Sequence, residues 1–306
     1  MMAESSLPDQ PEWSCGPDRL GGGTMPLVMG ILNVTPDSFH DGRSTFRDLE
    51  GMVALGDELR AAGADIIDVG GESTRPGASR VPPEEQRLRT SGVIAGIRER
   101  CTTPISIDTT HRSVAEAALD AGATIVNDVS AGTEDPALLD LVAERGAGLV
   151  LMHRLTDPLR DSYSDRYESD PEYGAPGVVP AVAEHLRQRL DAAVARGVGP
   201  EQIVLDPGLG FGKSVPQNLD LVRGLPDLRA ALGRPLLIGA SRKSFIGALL
   251  GGQAPSERLP GSLAVALVAA QLGAFVLRTH DVAPTRETLL VAAEIHRPGT
   301  TSGGTI

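Results

Sequence analysis

The sequence predicts an α/β protein folded as a single-domain (β/α)8 TIM barrel, and three observations predict it. Short β-capable apolar runs alternate with helix-period segments from residue 25 to 297. Eight such strand–helix units can be read, and eight similar units favour a closed ring over an open doubly wound sheet. Four helical segments stop at Gly-Ala, at 63–64, 122–123, 146–147 and 273–274, and run straight into a strand. Glycine just past a helix end takes the conformation that turns the chain back.

The units follow in order. Strand one is read at 27–32, then a polar loop and a helix with Leu49, Met52, Val53, Gly56 and Leu59 on one face. Strand two is read at 65–69. After a long loop, a helix at 83–100 opens on Pro-Glu-Glu, a favoured first turn. Strand three (104–107) precedes a helix at 113–121, and strand four (124–127) a helix at 136–145. Strand five (148–152) is followed by a long polar stretch without periodicity, 154–177, then a helix at 178–196 with Val179, Val182, Leu186 and Leu190 as its stripe. Strand six is Ile203-Val-Leu-Asp206, and Pro207 prevents a helix from starting there. A short helix at 216–224 and an apolar segment to 232 follow. Strand seven (235–239) leads to a helix at 261–272, and strand eight (274–277) to one at 284–296.

Outside the barrel, residues 1–24 and 298–306 are Pro/Gly/Ser-rich or Gly/Thr-rich and read as flexible tails, with no signal-peptide core. The two cysteines, Cys15 and Cys101, have no ligand spacing. That argues against a disulfide framework or a cysteine zinc site and suits the cytoplasm. A net charge of −12 disfavours nucleic acid and anionic membranes as partners. No apolar run is long enough to span a bilayer.

Chemistry in such barrels sits at the C-terminal ends of the strands. Here those ends carry Asn33; Asp68; Asp108; Asn127 and Asp128; His153; Asp206; Ser241, Arg242 and Lys243; and Arg278 and His280. A lone strand-end acid is more often a helix cap or a salt-bridge partner. Polar groups at every strand end instead point to a ligand with several N–H and C=O groups, such as a heterocyclic base or pterin. Acids and amides gather on strands two, three, four and six. Cations gather on strands seven and eight and the second loop: Arg242, Lys243, Arg278, His280 and Arg75. Such cations suit phosphate or diphosphate. Gly212-Lys213-Ser214 resembles the end of a phosphate-binding P-loop, but its first glycine would fall on Pro207. His153 and His280 read as satisfied polar histidines rather than zinc ligands. A Mg²⁺ held mostly by diphosphate and water, with Asn33 as one ligand, is compatible with the pattern.

The chain resembles the dihydropteroate synthases of the pterin-binding family from about residue 26 to 297. The resemblance is carried by Gly30-Ile-Leu-Asn-Val-Thr-Pro-Asp-Ser-Phe39, Asp68-Val-Gly-Gly-Glu-Ser-Thr-Arg-Pro-Gly77, Ser106-Ile-Asp108, Asn127-Asp-Val-Ser130, Asp206-Pro-Gly-Leu-Gly-Phe-Gly-Lys213, Gly239-Ala-Ser-Arg-Lys-Ser244 and Arg278-Thr-His-Asp281. It implies condensation of 7,8-dihydropterin-6-ylmethyl diphosphate with p-aminobenzoate, with Mg²⁺ as cofactor, sulfonamide sensitivity and a homodimer. It also implies roles. Asp108, Asn127, Asp206 and Lys243 hold the pterin. Asn33, as metal ligand, holds the diphosphate with Arg278 and His280. Phe39, Thr74, Arg75, Pro76, Phe211, Lys243 and Ser244 form the p-aminobenzoate pocket. Catalysis falls to Asp108, Asp206, Lys243, Arg278 and His280. The loops at 34–46 and 71–82 are implied to close over the site.

Three departures stand out. Arg154-Leu-Thr-Asp-Pro158 replaces the family's Met-rich, Gly-Thr-Pro-like turn, Gln217 replaces a histidine, and Thr279 replaces a valine. Two alternatives share the pterin pocket. A methyltetrahydrofolate corrinoid methyltransferase needs no diphosphate grip, and Thr74-Arg75-Pro76 and Ser241-Arg242-Lys243 argue against it. A non-catalytic pterin-binding paralogue is opposed by the intact first and second loops.

Overall fold

The computed structural model describes residues 10–34 and 49–297. Eight parallel strands form one sheet: β3 (Leu27–Asn33), β4 (Ile66–Gly70), β5 (Ile105–Asp108), β6 (Ile125–Asp128), β7 (Gly148–Met152), β8 (Ile203–Asp206), β9 (Leu237–Ile238) and β10 (Val276–Thr279). Spatial order follows chain order, and β10 pairs with both β3 and β9. The ring closes between β8 and β9 through a single bridge, Leu205 to Leu236, where Leu205 N donates to Pro235 O at 3.0 Å. This is the (β/α)8 barrel the alternation predicted.

Helices α1 (Leu49–Ala61), α2 (Pro83–Arg100), α3 (Arg112–Asp120), α4 (Ala137–Arg145), α5 (Val178–Ala195), α6 (Val215–Arg223), α7 (Leu225–Leu232), α8 (Ser244–Leu249), α9 (Leu259–Gln271) and α10 (Val282–His296) cover the outside. Their apolar faces meet alternate strand residues such as Val28, Ile67, Val69, Ile107 and Leu205 in one continuous core. Stretch 154–177 holds no helix or strand beyond a 3-10 turn at Pro158–Arg160, matching its lack of period. The six-residue α8 was not expected; it is too short to show a helical period.

The reading of residues 1–24 as a tail is corrected over the part described. Strands β1 (Glu12–Cys15) and β2 (Asp18–Gly21) form an antiparallel hairpin. Trp13 and Cys15 are fully buried with Met29, Ile66, Ile125, Val150, Val204, Leu237 and Val276, one apolar residue from each of seven barrel strands. Trp13 Nε1 donates to Gln202 O at 2.6 Å, and its ring meets Phe275 edge to face at 6.3 Å. The hairpin thus plugs the barrel floor and removes its apolar layer from water. Residues 1–9 and 298–306 lie outside the described residues.

That floor positions the site. Side chains two apart on a strand share a face. Two residues on from Ile66, Ile125, Val204 and Val276 come Asp68, Asn127, Asp206 and Arg278, and Asp108 follows Ser106 in the same phase on β5. An apolar layer at the bottom therefore forces a charged layer at the top.

Candidate active site

Arg278 organises one side of this upper layer. Its Nε donates to Asp68 Oδ2 at 2.6 Å and its Nη2 to Asp108 Oδ2 at 2.8 Å. Asn127 Nδ2 donates to the same Asp68 oxygen at 3.2 Å, which turns its amide oxygen away from Asp68. Both carboxylates are buried. Burial pushes Asp108's carboxyl up, and Asp68 adds to this, while Arg278 opposes. Burial would lower Arg278, but Asp68 and Asp108 hold its guanidinium above the ordinary value. Asn33 sits beside this group: a side chain at Gly70 would lie 3.9 Å from both Asn33 Oδ1 and Asp108 Oδ2.

The other side is built by the glycine-rich loop after β8. Asp206 Oδ1 accepts from Gly208 N at 2.7 Å. Burial raises its pKa to about 6, with Gly208 and then Lys243 opposing, so it is an anion at neutral pH. Gly208 has φ +69°, and a side chain there would collide with the His153 carbonyl. At Gly210 (φ +80°) a side chain would press on the Lys243 stem. Lys243 Nζ lies 4.1 Å from the centre of the Phe211 ring, a cation–π contact. Burial, and then Arg278, lowers the Lys243 pKa to about 8. The turn presenting Lys243 is forced: Arg242 has φ 58° and is held by a two-pronged bond to Asp281, at 2.9 and 2.6 Å.

His280 was grouped with the cations, and the structure corrects this. Burial, then Arg278 and Arg242, lowers its pKa to about 3, so the ring is neutral. Ser241 Oγ accepts from His280 N at 3.2 Å and lies 3.0 Å from His280 Nδ1. The serine proton going to Nδ1 leaves the ring proton on Nε2, a donor suited to a phosphate oxygen. Arg242 is turned to Asp281 instead of standing with the other cations. Asp128 serves its own turn, accepting from Ser130 N at 2.7 Å and Gly132 N at 2.5 Å.

Thr74 and Pro76 are half-buried and Arg75 is exposed, all on the loop after β4. Arg75 is near enough to His280 to contribute to its lowered pKa. Ser244 is buried and accepts from Ser164 N at 2.9 Å. Phe39 lies outside the described residues, as does most of the first loop.

Two supporting residues were singled out in the sequence, Asp68 as a strand-end group and Lys213 in the glycine-rich motif, but were given no role there. Asp68 orients both Arg278 and Asn127; its even spacing from Ile66 was the available signal. Lys213 is fully buried, with Nζ 3.0 Å from His153 Nδ1 and 2.9 Å from Phe211 O. It ties the glycine-rich loop to the residue after β7, a structural role that its place in the glycine-rich motif did not specify.

Among the described residues no group of three or more His, Cys, Asp or Glu could hold a metal. A groove of about 620 Å³ between α5, α6 and α7 is on the outer helical layer and is lined by none of the strand-end groups.

The fold and this site define a class: a (β/α)8-barrel enzyme whose mouth offers carboxylates and amides to a polar ring, and cations to an anion. The chain matches the pterin-binding enzyme family over residues 29–280. It is 42% identical to a dihydropteroate synthase of Synechocystis sp. over 275 residues, covering 90% of this chain and 92% of that protein. The structure of Xanthomonas albilineans dihydropteroate synthase with 4-aminobenzoic acid superposes with a TM-score of 0.84 at 41% identity, covering 95% of this chain and all of that one. The same enzyme in complex with 7,8-dihydropteroate gives 0.80 at 39% identity, covering 94% and 100%. The chain belongs to the dihydropteroate synthase family of pterin-binding enzymes.

Proposed function

We propose that the chain joins 7,8-dihydropterin-6-ylmethyl diphosphate to p-aminobenzoate, giving 7,8-dihydropteroate and pyrophosphate. The observation that carries this is the meeting, at one barrel mouth, of Asp206, Asn127 and Lys243 with the Asp68–Arg278–Asp108 cluster. Asp206 accepts two parallel hydrogen bonds from the pterin's 2-amino and N3–H edge. The Asn127 amide oxygen, directed by Asp68, accepts a further ring N–H. Lys243 donates to the 4-oxo group.

The C–O bond to diphosphate breaks first, and its electron pair leaves with the diphosphate. Arg278 and neutral His280 steady that departing charge. Asp108 and Asp206 stabilise the cationic pterin fragment. The neutral amine of p-aminobenzoate attacks the exocyclic methylene carbon, and its proton leaves with pyrophosphate. Thr74, Arg75, Pro76, Phe211 and Ser244 position the amine, and the loop at 71–82 excludes water.

Mg²⁺ fits as an ion carried by the diphosphate. Asn33 offers a hard amide oxygen next to Asp108, and Mg²⁺ keeps mostly water and phosphate ligands. When bound, it neutralises diphosphate charge and so eases its departure.

The family's corrinoid methyltransferase alternative is disfavoured by the 4-aminobenzoic acid and dihydropteroate complexes of these relatives. We further read the chain as a cytoplasmic homodimer. No described helix is long and apolar enough to cross a membrane, and both cysteines are free. Exposed Val268 on α9 and Leu290, Val291 and Ile295 on the adjoining α10 supply an apolar face for a second copy. Sedimentation should give a dimer, and Ile295→Asp should give a monomer.

The central test mixes protein, Mg²⁺ and both substrates and follows pyrophosphate. Release that needs p-aminobenzoate and stops with an aryl sulfonamide supports the reading. Release without the amine, or none at all, rejects it.

A further inference from the structure

The stretch 154–177 contributes nothing to the ring of strand-end groups, yet it is bound to the loop after β4. Arg80, on that loop, donates from Nη1 to Glu72 Oε1 at 2.9 Å and from Nη2 to Asp157 Oδ2 at 2.6 Å. Nη2 also bonds Glu134, on the loop after β6, and Arg154 bonds the same Glu134 oxygen. The second Glu134 oxygen accepts from Thr110 Oγ1, just past β5, at 2.6 Å. Glu72 Oε2 accepts from Val81 N at 2.7 Å and Gln86 Nε2 at 3.0 Å. A backbone bond from Gly77 N to Pro158 O, 2.9 Å, joins the loop directly to the 154–177 stretch.

Four connecting segments are thus pinned at one cluster of two arginines and three carboxylates. Thr74, Arg75 and Pro76 lie between its two anchors on the loop, Glu72 and Arg80. An isolated exposed pair adds little stability, but a network sharing its charges is the exception. Burial would raise the Glu134 carboxyl, yet Thr110, Arg154 and Arg80 hold it below its usual value. Burial would likewise lower Arg80, and Glu134, Asp157 and Glu72 hold its guanidinium above the ordinary value. Glu134 and Arg80, which bond each other, therefore keep their charges through the neutral range.

We propose that Arg80 and Asp157 are positioning residues for the second substrate: through this cluster the 154–177 stretch sets the loop at 71–82 before the aryl amine arrives. The proposal rests on the transferase reading above. Neither residue touches the pterin-binding groups, so the first substrate should not feel their loss. The half-exposed cluster is also open to salt, so the affinity for the amine should weaken as ionic strength rises.

The test compares Arg80→Met, Arg80→Lys, Asp157→Asn and the double variant Arg80→Met/Asp157→Asn. Both substrates are varied, and hydrogen exchange is followed over residues 71–82. The KM for p-aminobenzoate should rise about tenfold in Arg80→Met and about threefold in Asp157→Asn. Arg80→Lys should recover part of the loss. The KM for the pterin diphosphate, and kcat at saturating amine, should stay within about twofold. The double variant should be no worse than Arg80→Met, because Asp157 acts through Arg80. Exchange over 71–82 should quicken in every variant, most in Arg80→Met. An unmoved aminobenzoate KM, or equal rises for both substrates, overturns the proposal. No pyrophosphate from the wild-type protein would instead sink the transferase reading. Exchange then still decides whether the cluster holds the loop, and unchanged exchange rejects it.

Discussion

The two sides of the barrel mouth carry similar charges and hold them differently. On the β4–β5–β10 side, Arg278 touches both Asp68 and Asp108, so each buried charge has a partner in contact. On the β7–β8–β9 side, Asp206 and Lys213 are buried and Lys243 is half-buried, with no ammonium–carboxylate contact within 4.0 Å among the described residues. Asp206 has a backbone N–H, Lys213 a histidine nitrogen and a carbonyl, and Lys243 an aromatic face. The first side pairs its charges before any ligand arrives, although Asp68 Oδ1 is left without a partner. The second holds its charges without an ion-pair contact, which costs stability and, on the proposed function, leaves them for the ligand.

Substitutions can break this contrast. Arg278→Met should have the largest effect, because it strands two buried carboxylates. A loss of about 3–5 kcal/mol of stability is expected in chemical denaturation, together with loss of turnover. Lys243→Met should also cut turnover by at least about 100-fold, but it should leave the melting temperature unchanged or higher. If both variants lost stability equally, the two sides would not differ in the way described.

A smaller effect is expected from pH. Burial lowers the Lys213 pKa from 10.5 to about 7, with Asp206 opposing. Below pH 7 the folded and unfolded states are both protonated, and the burial penalty is present in full. Between pH 7 and 10.5 the unfolded state binds more protons, so stability rises with pH. Unfolding midpoints at pH 6, 7.5 and 9 should climb in the wild type. Lys243 contributes the part above about pH 8. Lys213→Met should flatten the climb between pH 7 and 8 and raise stability at pH 6 by a few kcal/mol at most.

Much of this was legible in the sequence, for physical reasons. A barrel strand is apolar on its outer face and at its floor, so the eight units and their polar C-terminal ends stand out. The same even spacing makes Asp68, Asn127, Asp206 and Arg278 converge. The hairpin at 12–21 was not legible, because its few apolar residues are scattered among Pro, Gly and polar ones. Its stability comes from the barrel floor it covers. The neutrality of His280 was hidden too, since it depends on Arg278 and Arg242 arriving from other parts of the chain. Nor could the cluster around Arg80 be read, because its members come from four different connections.

Asp206 gives the most direct measurement. Its folded pKa, raised to about 6 from 3.8, means the folded state takes up a proton more readily. Stability therefore falls as pH rises from 3.8 to 6, and the cost of the anion persists above that. Asp206→Asn should relieve it and stabilise the free protein at pH 7.5 by up to about 3 kcal/mol. Calorimetric titration with the pterin diphosphate at that pH should show the variant binding at least about 100-fold more weakly than the wild type. Equal affinity in the two proteins would contradict the assignment of the pterin to this carboxylate.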